Sequence, residues 1–190
     1  AASQLLADLL AYQGNIVAAR TTTERSYRSL TTAIEQDPKN TIWHRRKYYY
    51  YFQQFKFSPQ LTLKQIESKI ITLTRTMELE QDLLSEDNRK EFMVRYWLIA
   101  AEQLQNINMF ADSQNYADLA HAASNQLTRR YPENTSYLAL LSNSQLLQAK
   151  LLIAANKNSS AIELCREVEQ KLAEIIVNNK DPRYSTLFAK

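Results

Sequence analysis

The densest group of side chains with chemical potential lies at residues 44–52, which read His-Arg-Arg-Lys-Tyr-Tyr-Tyr-Tyr-Phe. Consecutive residues of a helix point in different directions, so the four tyrosines cannot all be buried on one face. His44, Tyr48 and Tyr51 are four and three residues apart, which places them together on one helical face. Because tyrosine is prominent in binding hot spots, this face and the neighbouring Arg45 form a candidate binding row.

Three interpretations of this segment stay open: internal packing, protein or peptide binding, and nucleic-acid binding. Basic residues interleaved with aromatic ones suit a phosphate backbone and stacked bases. The formal net charge of the whole chain is only +3, however, which is far from the strongly basic surface of a dedicated nucleic-acid-binding protein. We therefore expect a protein or peptide partner rather than nucleic acid.

The chain offers little for catalysis or metal binding. Cys165 is the only cysteine, which rules out an internal disulfide and a cluster of thiolate ligands. Its spacing from Ile162 and Val168 predicts a buried position on the inward face of a helix. His44 and His121 have no ligands close in sequence, and the acidic residues between 78 and 87 are typical of a solvated surface. We predict neither a catalytic residue, a metal site nor a cofactor.

Glycine content excludes several function classes and most β-folds. Gly14 is the only glycine, whereas phosphate-binding loops, dinucleotide-binding fingerprints and nucleophile elbows each need several. A β-protein would also need glycine in its many tight turns. No apolar stretch reaches the length of roughly 18 to 20 residues that crosses a bilayer, so membrane insertion is not expected. An all-α fold remains.

Apolar residues recur with helical periodicity along the chain. The clearest case is the series Leu63, Ile66, Ile70, Leu73 and Met77, which predicts one buried face. Ser58 with Pro59 predicts the start of this helix, and Ser160 with Glu163 resembles a capping box. The periodicity predicts helices at residues 3–18, 21–36, 41–56, 59–81, 88–106, 110–130, 135–155 and 160–178.

Prolines interrupt this pattern at nearly regular intervals. Pro38, Pro132 and Pro182 each precede a large apolar residue by five positions, and Asp87 precedes Phe92 by the same offset. The breaks predict a single domain, 1–190, of helix-pair units at about 1–38, 39–87, 88–132 and 133–182, with a further helix starting at 183–190. Stacking of such units would complete a core that none could bury alone.

The sequence Asp37-Pro38-Lys39-Asn40 followed by Trp43 resembles the turn that ends a tetratricopeptide repeat, and Gln13-Gly14-Asn15 resembles the turn inside one. The units here are longer than the family's repeat of about 34 residues. The resemblance implies stacked antiparallel helix hairpins forming a short α-solenoid with a concave groove. It also implies that His44, Tyr48 and Tyr51 lie on the concave side, where Trp97 would extend their row.

We therefore expect a non-catalytic, protein- or peptide-binding scaffold or sensory domain. The repeats are similar to the helical tails of some bacterial sensor kinases and membrane-tethered transcription regulators, which implies a signalling role in a longer protein. The chain would then be a soluble fragment, cytoplasmic or periplasmic if a membrane segment tethers it. Two alternatives stay open: a helical enzyme that uses tyrosine hydroxyls and Cys165 on an apolar substrate, and a regulatory domain that dimerises through its C-terminal helix.

Overall fold

The computed structural model describes residues 2–58 and 61–178. Within these ranges the chain forms eight α-helices and no β-strand, which confirms the predicted all-α class. The helices are α1 Ala2–Tyr12, α2 Ile16–Gln36, α3 Thr41–Lys56, α4 Leu63–Leu79, α5 Glu86–Asn106, α6 Phe110–Arg130, α7 Thr135–Ala154 and α8 Asn158–Asn178. The predicted helix at 183–190 lies outside the described residues.

Three predicted helix boundaries are wrong. A turn at Gly14 separates α1 from α2, where the periodicity predicts a helix continuing to residue 18. Helix α4 begins after Thr62, whose hydroxyl accepts a hydrogen bond from the backbone N–H of Gln65 in a capping box. Ser160 lies inside α8 rather than at its start.

The turns between α1 and α2, α5 and α6, and α7 and α8 have one common geometry. Gly14, Asn108 and Asn156 have φ of 79°, 61° and 58°, in the left-handed region that glycine and asparagine adopt most readily. In each turn the following residue donates its backbone N–H to the carbonyl five residues earlier, at 2.8–2.9 Å. Asparagine therefore takes the place of glycine in the two later turns of this kind.

A second kind of turn recurs before α3 and before α7. The side chain of Asn40 accepts hydrogen bonds from two backbone N–H groups in the first turn of α3, and Asn134 does the same for α7. Asn134 follows Asn40 by 94 residues, the interval that also separates Asn108 from Gly14. Both kinds of turn thus repeat together after two of the predicted units.

The predicted inward face of α4 is confirmed. Ile66, Ile70 and Leu73 are all buried and belong to the largest core cluster of the described residues. Aromatic residues of α3 and α5 fill the rest of this cluster. The ring of Tyr48 stacks on that of Phe92 with centroids 5.2 Å apart, and Phe55 stacks on Tyr96 at 5.7 Å; both pairs join α3 to α5.

Helix α5 is the centre of the packing. It contacts α3, α4, α6 and α7, while α1 contacts α2, α2 contacts α3, and α8 contacts α7. Side chains also link α1 to α3: Gln53 Nε2 donates to the carbonyl of Gln4 at 3.3 Å. Helices α3, α5 and α7 therefore lie next to one another in that order. In the described part of the chain, no helix combines the length and apolarity that crossing a membrane requires.

Candidate binding groove

The predicted binding row starts at His44 and Tyr48, and both of these side chains lie in the interior. They converge with Lys47 on the carboxylate of Glu80, the residue that caps the C-terminus of α4. The Tyr48 hydroxyl donates to Glu80 Oε2 at 2.8 Å, His44 Nδ1 lies 3.1 Å from the same oxygen, and Lys47 Nζ donates to Oε1. His44 Nε2 donates to the carbonyl oxygen of Pro38 at 2.9 Å.

Electrostatics at this cluster favour an ionised Glu80. Burial alone would raise the pKa of Glu80, but the hydrogen bonds from Lys47, Tyr48 and His44 outweigh it, and the net pKa is lowered. The same contact acts oppositely on Tyr48, because burial and the nearby carboxylate both raise the pKa of its hydroxyl. Tyr48 therefore stays neutral and serves as a hydrogen-bond donor to Glu80.

This arrangement corrects the predicted location of the row. His44 is 5% exposed and Tyr48 is 0% exposed, so neither can touch a ligand at the surface. The physical reason is Glu80, which gives three polar side chains of α3 a partly buried acceptor and so allows them to face inward. Spacing correctly groups His44 with Tyr48 on one face, but that face packs against the rest of the protein.

The other three predicted residues lie in different surroundings. Tyr51 is half-buried; its hydroxyl is 3.1 Å from that of Tyr27, and it lines a cavity of about 250 Å³ between α3, α4 and α5. Burial and the hydrogen bond with Tyr27 raise the pKa of Tyr51. Trp97 is also half-buried, between the core around Phe92 and that around Leu140, whereas Arg45 is exposed. These residues do not form a continuous exposed row with His44 and Tyr48.

A groove instead crosses the neighbouring helices α3, α5 and α7 and reaches α8. Its volume is about 420 Å³. Each of the three central helices contributes apolar side chains, and Leu146 and Ile153 of α7 are 40% and 55% exposed. The apolar residues of the lining are Phe52, Leu98, Ile99, Leu140, Leu146, Leu147, Ala149 and Ile153.

The charged residues of the groove are mostly basic. Lys56, Arg95 and Lys150 line it together with a single acidic residue, Glu102. Arg95 is held in position by Glu91, a buried carboxylate at 2.9 Å, while the Lys56 ammonium lies 3.1 Å from the exposed Asp8 outside the groove. Lys150 forms no ion pair with any described residue. The groove thus combines an apolar lining with three basic residues and one acidic residue, and Lys150 is the basic residue that has no ion pair among the described residues.

Cys165 lies at one end of this groove and is exposed, which contradicts the predicted buried position. Val168 of the predicted stripe is buried as expected, whereas Ile162 is 53% exposed and its neighbour Ala161 is buried. The inward face of α8 therefore shares Val168 with the predicted stripe but excludes Ile162 and Cys165. Cys165, Ile153 and Ile162 together border an adjoining depression of about 510 Å³, which extends the apolar surface along α8.

Sequence analysis missed the groove residues, although one signal for them is present. One face of α5 carries three groove residues spaced three and four positions apart: Arg95, Leu98 and Glu102. One face of α7 likewise carries Leu140, Leu147 and Lys150. Leucines at such intervals are far commoner as core residues than as groove residues. Only the contacts between α3, α5 and α7 identify which leucines line an open cleft.

No group of three or more His, Cys, Asp or Glu side chains suited to a metal ion occurs among the described residues. Among the described residues, Tyr51 and Tyr96 line the cavity beside α4, whereas Cys165 lines the groove. Comparison of the chain with protein-family models, with curated proteins and with solved structures found no match.

Proposed function

We propose that this chain is a non-catalytic scaffold, built from stacked antiparallel helix pairs similar to tetratricopeptide repeats, which binds a segment of another protein in the groove across α3, α5 and α7. The observation that carries the proposal is the groove itself. The first helix of each of three successive units contributes to it, and this is the surface on which helical repeat proteins present their binding residues.

The recurring turns support a stack of related units. Left-handed residues at Gly14, Asn108 and Asn156 occupy the same place between the two helices of a pair. Asn40 and Asn134 occupy the same place between pairs. One turn geometry therefore joins α1 to α2, α5 to α6 and α7 to α8, whereas the described residues between α3 and α4 do not share it. The turns thus support the relatedness of three of the four proposed pairs.

The residues that line the groove indicate what kind of segment it would bind. Its apolar lining would bury two or three aliphatic or aromatic side chains, and Lys56, Arg95 and Lys150 would attract carboxylates at its edge. An acidic segment with regularly spaced apolar residues fits both features. Tyr48 is fully buried, and the formal net charge of only +3 gives little attraction for a nucleic-acid backbone, so a protein partner is favoured over nucleic acid.

The test is selection of ligands from a random peptide library, followed by measurement of their affinity by fluorescence polarisation. We expect the selected peptides to combine Asp or Glu with apolar residues. Lys150→Glu and Ile153→Asp should each weaken their binding by at least about tenfold, since hydrogen bonds to charged groups and buried apolar contacts are worth about 1.5 kcal/mol or more. Lys157→Glu and Ile71→Asp, exposed and outside the groove, are the matched controls.

A second readout locates the bound peptide. Cys165 lies at the end of the groove, so a bound peptide should slow its modification by a thiol reagent. Selection of basic peptides, or affinities that the groove and control variants change equally, would contradict the proposal.

A further inference from the structure

A second cleft lies on another part of the molecule, between α1, α2 and α3. Its volume is about 370 Å³, and its floor includes the buried side chains of Leu30 and Tyr50. Besides the aromatic residues Trp43 and Tyr50, its polar side chains supply two guanidinium groups, three serine hydroxyls and one amide. They belong to Arg25, Arg46, Ser3, Ser26, Ser29 and Gln4.

The cleft contains no carboxylate. Arg25 comes from α2 and Arg46 from α3, so two positive charges from different helices face one space. Neither guanidinium forms an ion pair with an acidic side chain among the described residues. Two arginines without acidic partners, beside hydroxyl donors, form the kind of surface that binds a phosphate group.

Arg46 is further positioned by an aromatic ring. Its guanidinium carbon lies 4.9 Å from the centre of the Trp43 ring, in a cation–π contact. A guanidinium held against an aromatic ring can still donate N–H hydrogen bonds to an anion. Trp43 and Tyr50 also give the cleft an aromatic side, against which a flat apolar group can pack.

We propose that this cleft binds a phosphomonoester attached to an aromatic group, with the phosphate between Arg25 and Arg46 and the ring against Trp43 and Tyr50. The charge of the ligand follows from the two arginines, and its aromatic part follows from the wall and floor of the cleft. The site is independent of the proposed peptide groove, because the two share no lining residue.

The experiment is isothermal titration calorimetry of the natural chain with phenyl phosphate, inorganic phosphate and phenol. Phenyl phosphate should bind with one-to-one stoichiometry and millimolar or tighter affinity, about twofold to tenfold more tightly than inorganic phosphate because of the aromatic contact. Phenol should not bind measurably. Adenosine monophosphate and phosphotyrosine then distinguish a nucleotide from a phosphorylated side chain as the source of the aryl phosphate.

The variants Arg25→Gln and Arg46→Gln should each weaken phenyl phosphate binding by about tenfold or more, since each removes a charge-assisted contact. Arg45→Gln is the matched control, because Arg45 is also exposed on α3 but does not line the cleft. Quenching of Trp43 fluorescence in a Trp97→Phe chain reports binding at the cleft itself. No binding of either phosphate, an equal effect of Arg45→Gln, or equal affinities for phenyl phosphate and inorganic phosphate would overturn the proposal.

Discussion

Replacement of Glu80, the C-terminal cap of α4, by alanine should destabilise the protein more than a change to any charged residue within α4. The substitution removes the acceptor of three side chains on α3, of which Tyr48 is fully buried and His44 nearly so. A buried donor left without a partner costs about 1 to 3 kcal/mol, and breaking a buried ion pair costs about 3 to 5 kcal/mol. Because Lys47 can regain some hydration, we expect a total loss of about 3 to 5 kcal/mol.

Urea unfolding followed by circular dichroism measures this loss. Glu78→Ala is the matched control, because Glu78 is an exposed carboxylate two residues earlier on the same helix and should change stability by no more than about 0.5 kcal/mol. Glu80→Gln keeps an oxygen acceptor without the charge, so its loss should be intermediate. A loss below about 1 kcal/mol for Glu80→Ala would refute the argument that Glu80 holds α4 against α3.

The pH dependence provides an independent check of the same cluster. Because the folded-state pKa of Glu80 is lowered, the stability that its carboxylate contributes is fully present above the ordinary glutamate pKa. This stability is lost as the pH falls through the lowered value. The groups that face Glu80 are His44, Lys47 and Tyr48. The stability difference between the natural chain and Glu80→Ala should therefore shrink on acidification. A difference that grows as the pH falls would contradict the lowered pKa.

Three further outcomes are expected. Ile70→Ala should cost about 2 to 5 kcal/mol in urea unfolding because it leaves a cavity in the core, whereas Ile71→Ala, at an exposed position, should cost less than about 1 kcal/mol. Gly14→Ala should lower the free energy of unfolding by about 1 to 2 kcal/mol, because residue 14 has a φ of +79° that alanine adopts poorly. The added Cβ would meet no atom within 4 Å, so the loss comes from the backbone conformation alone. Gly14→Asn should lose less, and equal losses for the two variants would contradict this explanation. Cys165 should react with a thiol reagent in the folded protein at nearly the same rate as in the urea-unfolded chain. A much slower reaction in the folded protein, with no ligand added, would contradict the exposure of Cys165.

The all-α class and most helix positions could be predicted because they depend on local signals. The proline and asparagine residues around Pro38 and Pro132 end one helix and cap the next, and these effects act over only a few residues. The face containing Ile66, Ile70 and Leu73 was predictable for a similar reason, since one amphipathic helix has one apolar side. The antiparallel stacking itself remains a prediction.

The candidate site could not be predicted because it depends on contacts distant in sequence. The burial of His44 and Tyr48 depends on Glu80, more than thirty residues later, and nothing near either residue indicates that partner. The error at Cys165 has another cause. Its helix carries apolar residues on two sides, and periodicity cannot tell the side that packs on α7 from the side that faces the groove.

The matching turns at Asn40 and Asn134 have a consequence for how the chain could be lengthened or shortened. Both positions begin a helix with the same cap and follow the same backbone turn. A gene in which the codons for residues 41–134 were duplicated would join the copies through a junction whose conformation the protein already contains. Duplication of the segment between these turns would thus lengthen the protein by four helices without requiring a new loop conformation, and the groove would lengthen with each added copy.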